Sequence, residues 1–456
     1  MELIVSDIEN AVGELKEFHA GLHRFFMTKT RYVAGQALQY SQGLLFGSKR
    51  KNMTNMEKIV PDSDHQALQH FLSNSQWDEE GVITELQGRI SVLIGNPAHG
   101  SLHFDESGFL KDGTHSVGTK RQYCGRFGKV DNCQVGVFLG YAVHSYRALV
   151  DKRIYLPRDW AENSVLRERC GVPAGVTFKT KAELALDMLS RAEERGVPFA
   201  WVGMDCFYGQ QPWLLEQLES EETRVYIANI PNDTRVWRNC PKVEVPERKG
   251  KRGPQPWRER VVEGEPEPIK VRELAKEIPE VEKERIFLRD TERKELWCNM
   301  VCLRVYPVRD ELPGPESWLI IRWDDNGEVK YQFSNASADT KINRLAEMSC
   351  SRYWIERAFE DAKGELGMAD YEVRGWLGWH HHMTMVLLAM LFLLILHIKW
   401  KGKAPLLTIQ DVREILEEVL QRKEVTKEEL LKRIEGKHKA RESARKSHHK
   451  RNSKPG

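Results

Sequence analysis

The sequence predicts an α/β protein with a mixed sheet and flanking helices, preceded by a helical segment and interrupted by a β-rich insertion. Three observations carry this. Residues 1 to about 90 read as helical, whereas from about residue 98 the texture changes to short strands bounded by turns. A capped helix then feeds an apolar strand between positions 180 and 204, the alternation that builds α/β sheets. Strand-like runs dominate again from about 240 to 338 before helical spacing returns.

Taken in order, residues 53–60 and 64–73 read as two short helices broken by Pro61, with Asp62 and Ser63 as cap candidates. The pair fits a helix-turn-helix, with Lys49, Arg50 and Lys51 ready for phosphates. It fits a plain helical hairpin equally well. Residues 101–104 alternate and end at Asp105. Segments 115–123, 134–143 and 147–156 follow as antiparallel neighbours, the first two separated by the turn CGRFGK.

Thr180 opens a helix with a capping box to Glu183, and the helix stops at Gly196. The apolar strand 198–204 ends at Asp205, followed by Tyr208 and Gly209, which fix the turn that presents it, and a strand at 223–230. Residues 246–268, rich in Pro, Gly and charge (Arg248, Lys249, Lys251, Arg252), read as a linker. Segments 296–306, 317–323 and 329–333 are strand-like, with Asp325-Asn326-Gly327 a hairpin turn between the last two.

Residues 383–398 are strongly apolar but short of the roughly 20 residues of a bilayer span, and Thr384 and His397 interrupt them. A buried core helix is the expectation. The resulting division is a helical DNA-binding domain (1–90), a first core part (98–240), a β-rich insertion (241–338), a second core part (339–400), and C-terminal helices with a basic tail (401–456).

The net charge of +2 hides an asymmetry. The last twenty residues carry eight Lys/Arg against one Glu, leaving 61 basic and 66 acidic residues elsewhere. This excludes a uniformly basic nucleic-acid coat, so any DNA contact comes from local patches and this tail, which reads as a solvated disordered extension. Eight scattered cysteines without a CxxC pair, behind no signal peptide, indicate reduced thiols and a cytoplasmic protein. Cys298 and Cys302 with His380–His382 lack zinc-finger spacing.

The segment 349–363, SCSRYWIERAFEDAK, is the most informative. On one helix, Arg352, Glu356 and Lys363 share nearly one face beside an apolar stripe of Ile355, Phe359, Ala362 and Leu366. Alone, this is a solvated salt-bridged face. Asp105 and Asp205, each at the end of an apolar strand, change its meaning, because neighbouring strands would bring their carboxylates together. Two such charges need a cation between them or one must protonate. With Glu356 they form an all-oxygen set suited to Mg²⁺ or Mn²⁺, and two such ions can activate water or a 3′ hydroxyl in phosphodiester chemistry. Glu106 points away from Asp105. Asp112 and Glu360 are the fallback carboxylates.

These segments (LHFDESGFLKDGTHSVGTKRQYCGRFGKVDNCQVGVFLGY, WVGMDCFYG and SRYWIERAFEDAKGELG) resemble bacterial insertion-sequence transposases of the DDE superfamily. The likeness runs from about residue 20 to 400. It implies a ribonuclease-H-like catalytic core with a β-rich insertion, and Asp105, Asp205 and Glu356 as catalytic, metal-binding triad. Arg352 and Lys363 match the phosphate-contacting cations of the signature Tyr-x2-Arg-x3-Glu-x6-Lys, with Ser349 standing where the family has Tyr. A serine hydroxyl there offers a shorter phosphate contact. The resemblance further implies cleavage of double-stranded DNA at terminal inverted repeats, strand transfer into target DNA, and a homodimer when two ends are synapsed. In the signature-bearing branch a flipped base stacks on an aromatic of the insertion. Trp297, Trp318 and Trp323 are the candidates here, and each also reads as core. A stand-alone nuclease of the same fold and a catalytically inactive DNA-binding relic are the alternatives.

Overall fold

A computed structural model of the chain describes residues 3, 5–125, 128–221, 223–246, 257–290 and 295–452. Arg126 and Phe127 of the CGRFGK turn, and the linker cations Arg248, Lys249, Lys251 and Arg252, lie outside the described residues.

The helical start is borne out as α1 (Val5–Ala20), α2 (Ala34–Leu45), α3 (Met53–Ile59), α4 (His65–Ser73) and α5 (Glu79–Ile94). The cap of α4 differs from expectation. Asp64 accepts from the Ala67 N–H, while Asp62 turns the chain at φ 54° and Ser63 Oγ donates to the Val60 carbonyl. An Asp one residue before the first helical turn reaches the free N–H groups that Asp62 and Ser63 are too early to meet.

All five of these helices join one apolar core with the helix Trp376–Lys401, and α2, α4 and α5 lie directly against it. That helix is apolar on every side, and 83% of its most apolar window is buried, as expected of a core helix. Its histidine run, His380–His382, serves packing. His382 Nδ1 lies 2.7 Å from Tyr40 Oη, and the His381 ring stacks on Trp77 at 3.9 Å. Among the described residues no His, Cys, Asp or Glu cluster is gathered to hold a metal.

The core sheet comprises β1 (Ser101–Leu110), β2 (Lys120–Cys124), β3 (Lys129–Val143), β4 (Tyr146–Ile154), β5 (Trp201–Met204) and β6 (Tyr226–Asn229). β3 pairs antiparallel with β1, β2 and β4, whereas β5 runs parallel to both β1 and β6. The order β4-β3-β1-β5-β6 is the mixed sheet expected of a ribonuclease-H-like core. The capping box of Thr180 and Glu183 starts the helix Lys181–Glu194, which packs on β3 in the crossover to β5.

The insertion continues the same sheet. Val329–Ser334 pairs with β6, Ser317–Asp324 pairs with Val329–Ser334, and Glu295–Arg309 pairs with Ser317–Asp324. Beyond Glu295–Arg309 lie the strand Glu284–Asp290, unread in the sequence, and the short strand Arg235–Trp237, both antiparallel to it. Gly327 supplies the φ of 85° that the expected hairpin turn needs. Trp297, Trp318 and Trp323 are half-buried, and so are not full members of a core.

The basic tail differs from the expected disordered extension. Lys427–Asn452 is an exposed helix, built from Lys, Arg, Glu and Ala and carrying an i,i+4 pair between Glu442 and Lys446 at 3.0 Å.

Candidate active site

β1 and β5 pair in parallel up to Phe104 and Met204, so Asp105 and Asp205 are the next residues on two adjacent strands. β1 itself continues to Leu110 because β3 stays paired with it, which buries Asp105 to 9% exposure. β5 stops instead. Asp205 caps a short helix, its Oδ1 accepting from the N–H groups of Phe207 (3.0 Å) and Tyr208 (3.2 Å). Gly209 is required there, since a Cβ would stand 2.1 Å from the Asn229 carbonyl oxygen. Tyr208 is fully buried against Phe104.

Glu356 lies on the helix Tyr353–Gly364, which rests on β3 and β4. Arg352, at the head of that helix, joins the parts. Its Nη1 donates to Glu356 Oε1 at 2.5 Å, and its Nη2 lies 3.3 Å from Asp105 Oδ2. The electrostatics follow from this arrangement. Burial pushes the Asp105 carboxyl up to about 6, the Arg352 guanidinium opposes that rise, and Asp205 adds to it.

The donor set fits a hard divalent cation at the two aspartates: side-chain oxygens only, with Asp105 buried in a setting that calls for positive charge and Asp205 half-buried beside it. Arg352 supplies that charge here, standing between Asp105 and Glu356. Lys363, in the last turn of the helix, lies with Nζ 5.0 Å from the centroid of the Phe359 ring.

Other expected residues are placed differently. Lys51 is 3% exposed, and its Nζ donates to the Leu44 and Phe46 carbonyls at 2.6 and 2.5 Å. It therefore closes the end of α2 and is withdrawn from any phosphate, while Lys49 and Arg50 remain exposed. Ser349 is also buried, and it belongs to a preceding helix, Ile342–Ser351, separated from the next by a break at Arg352. Its Oγ and carbonyl accept from Arg322 Nη1 at 3.1 and 3.3 Å, so the hydroxyl has a partner inside the protein instead of a phosphate. Glu106 pairs with Lys181 at 2.6 Å, Asp112 is exposed in the loop after β1, and Glu360 pairs with Arg357.

Arg322 is the residue that sequence reasoning missed. It shares a sheet face with Trp318 and Ile320 of its strand, a charge where an apolar residue is due, and that inward charge is the signal.

A family model described as DDE superfamily endonuclease matches residues 17–295. The chain belongs to that family. Asp105 and Asp205 of this DDE-family chain lie inside the matched residues, and Glu356 lies beyond them. A protein named as a probable transposase for insertion sequence element IS701, from Microchaete diplosiphon, is 33% identical over 174 residues. That match covers 37% of this DDE-family chain and 41% of the relative, less than half of either.

Proposed function

We propose that the chain is a DNA transposase that cleaves phosphodiester bonds at transposon ends and joins them to target DNA. The observation that carries this is that Asp105 and Asp205 directly follow the last paired residues of two adjacent parallel strands, with Glu356 tied to Asp105 through Arg352. Membership of the DDE endonuclease family and the likeness to the IS701 protein support it.

In this reading Asp105, Asp205 and Glu356 hold Mg²⁺ or Mn²⁺, two ions in all. The ions, when bound, polarise the phosphoryl oxygens and lower the pKa of bound water. The chain's own residues do the rest. Asp205 keeps its orientation through its two backbone N–H donors. Arg352 exchanges a carboxylate partner for a phosphate oxygen of the DNA, and Lys363 grips a second phosphate. Lys49 and Arg50 contact the end-DNA backbone from the helical N-terminal region, and the protein acts in the cytoplasm on double-stranded DNA as a homodimer when two ends are synapsed.

Asp105→Asn, Asp205→Asn and Glu356→Gln each abolish metal-dependent nicking of an end-bearing duplex, with end-DNA affinity nearly unchanged. Normal nicking by any one of them removes that residue from the triad. Cleavage without strand-transfer products would identify a stand-alone nuclease, and DNA binding without cleavage an inactive relic.

A further inference from the structure

Between the insertion and the Glu356 helix lies a polar cavity of about 140 Å³, and of its lining the proposed chemistry uses only Arg352, Glu356 and their own helix. At about 30 Å³ per water, it has room for four or five heavy atoms, the size of one phosphate group. Arg289, Arg322, Lys330 and Arg352 line it, against only two carboxylates, Asp324 and Glu356.

The wall is held in place before any ligand arrives. Arg322 is 6% exposed, with Nε 2.7 Å from Asp324 Oδ1 and Nη1 on Ser349. Gln332, 3% exposed, donates to Asn229 Oδ1 at 2.6 Å and to the Ser349 carbonyl at 3.3 Å. Donors on Arg289, Arg352 and Lys330 remain to be used. Among the described residues Arg289 makes no ion pair, and its guanidinium lies 3.5 Å from the centroid of the Tyr353 ring, which also lines the cavity. Arg352 Nε is buried without an acceptor. Lys330 is only loosely engaged, 3.3 Å from both Asp324 and Glu328. A buried N–H without an acceptor, beside a guanidinium that makes no ion pair among the described residues, calls for an anionic oxygen.

We propose that this cavity takes one backbone phosphate of the DNA strand next to the cleaved bond, gripped by Arg289 and Lys330 of the insertion. The inference rests on the transposase reading above and extends it to the insertion. A phosphodiester fits because its two non-bridging oxygens accept several N–H donors at once, and because the cavity adjoins Arg352 and Glu356.

The test uses the full chain and a duplex carrying the inverted repeat that flanks its gene, scanned with single neutral methylphosphonate linkages. One linkage is expected at which the neutral substitution weakens wild-type binding about tenfold, the worth of one charge-assisted contact. The double variant Arg289→Gln, Lys330→Gln loses about as much on the all-phosphate duplex and becomes indifferent to that linkage. Its slope of log affinity against log salt falls by about 0.9, as one released phosphate requires. Arg289→Lys, which keeps the charge, retains the sensitivity. A double variant that binds like wild type, or that stays sensitive at every linkage, overturns the phosphate site while leaving wild-type cleavage untouched. A wild-type chain that neither binds nor cuts the duplex overturns the underlying reading and this inference with it.

Discussion

Gly140 controls whether the Glu356 helix can reach the sheet. It sits on β3, and a Cβ at this position would stand 1.8 Å from Ile355 Cδ1 and 2.5 Å from Ile355 Cγ1. Ordinary carbon contacts are about 3.5–4.0 Å, so Gly140→Ala forces a displacement of roughly 2 Å. Ile355 is fully buried, so turning its side chain aside crowds other packed core atoms, and part of the movement passes to its own helix. Glu356 is the next residue, and Arg352 lies three before Ile355.

The overpacking costs about 1–3 kcal/mol of stability. The effect on catalysis is larger, because a misplacement of about 1 Å lowers the rate on the order of 10²-fold, or about 2.7 kcal/mol in the barrier. Single-turnover nicking, end-DNA affinity and thermal melting, measured on one preparation, separate these effects. Nicking falls about a hundredfold, affinity holds, and melting drops by a few degrees. Adding Ile355→Ala removes both clashing atoms, so the double variant nicks faster than Gly140→Ala alone and the two substitutions are non-additive. Wild-type nicking and melting in Gly140→Ala would refute the claim that this contact seats the helix.

Two further outcomes follow, one from a buried lysine and one from the exposed basic tail. Burial, aided by Arg413, lowers the pKa of Lys51 to about 7, opposed by Glu365, Glu417 and Asp370. Between about pH 7 and 10.5 the unfolded chain keeps a proton that the folded chain has released, so stability rises with pH across that window, by at most about 1.4 kcal/mol per unit. Urea titrations of wild type and Lys51→Met should diverge there; parallel curves would contradict the buried lysine. Truncation after residue 436 removes the basic end of the last helix, and should flatten the salt dependence of DNA binding without altering sequence preference, checked by anisotropy against repeat and random duplexes.

Local chemistry was readable in the sequence wherever neighbours along the chain decide the outcome. The Thr180–Glu183 capping box, the turn at Gly327 and the apolar helix around residues 383–398 all stand as expected. The strands leading to Asp105 and Asp205 were legible as apolar runs, but only the strand before Asp205 ends there. What was illegible depends on distant partners. The break at Arg352 cannot be seen in a segment of good helical spacing, yet Arg322 takes the Ser349 carbonyl from another strand. Lys51 reads as a surface cation until the Asp370 side chain takes its backbone N–H and the carbonyls of Leu44 and Phe46 take its ammonium. β1 outruns Asp105 only because β3 continues beside it.

The central helix Trp376–Lys401 has a consequence for how the chain is made. Its partners α2, α4 and α5 are translated first and cannot bury their apolar faces until it emerges. At about 5–20 residues per second, that wait is roughly 15–60 s. Throughout it, a nascent chain carries an open apolar trough, and then a helix greasy enough to be mistaken for a membrane segment. Every premature stop before the end of that helix leaves the trough permanently open. Truncated products are therefore substrates for chaperones and proteases, and cannot persist as partly functional fragments.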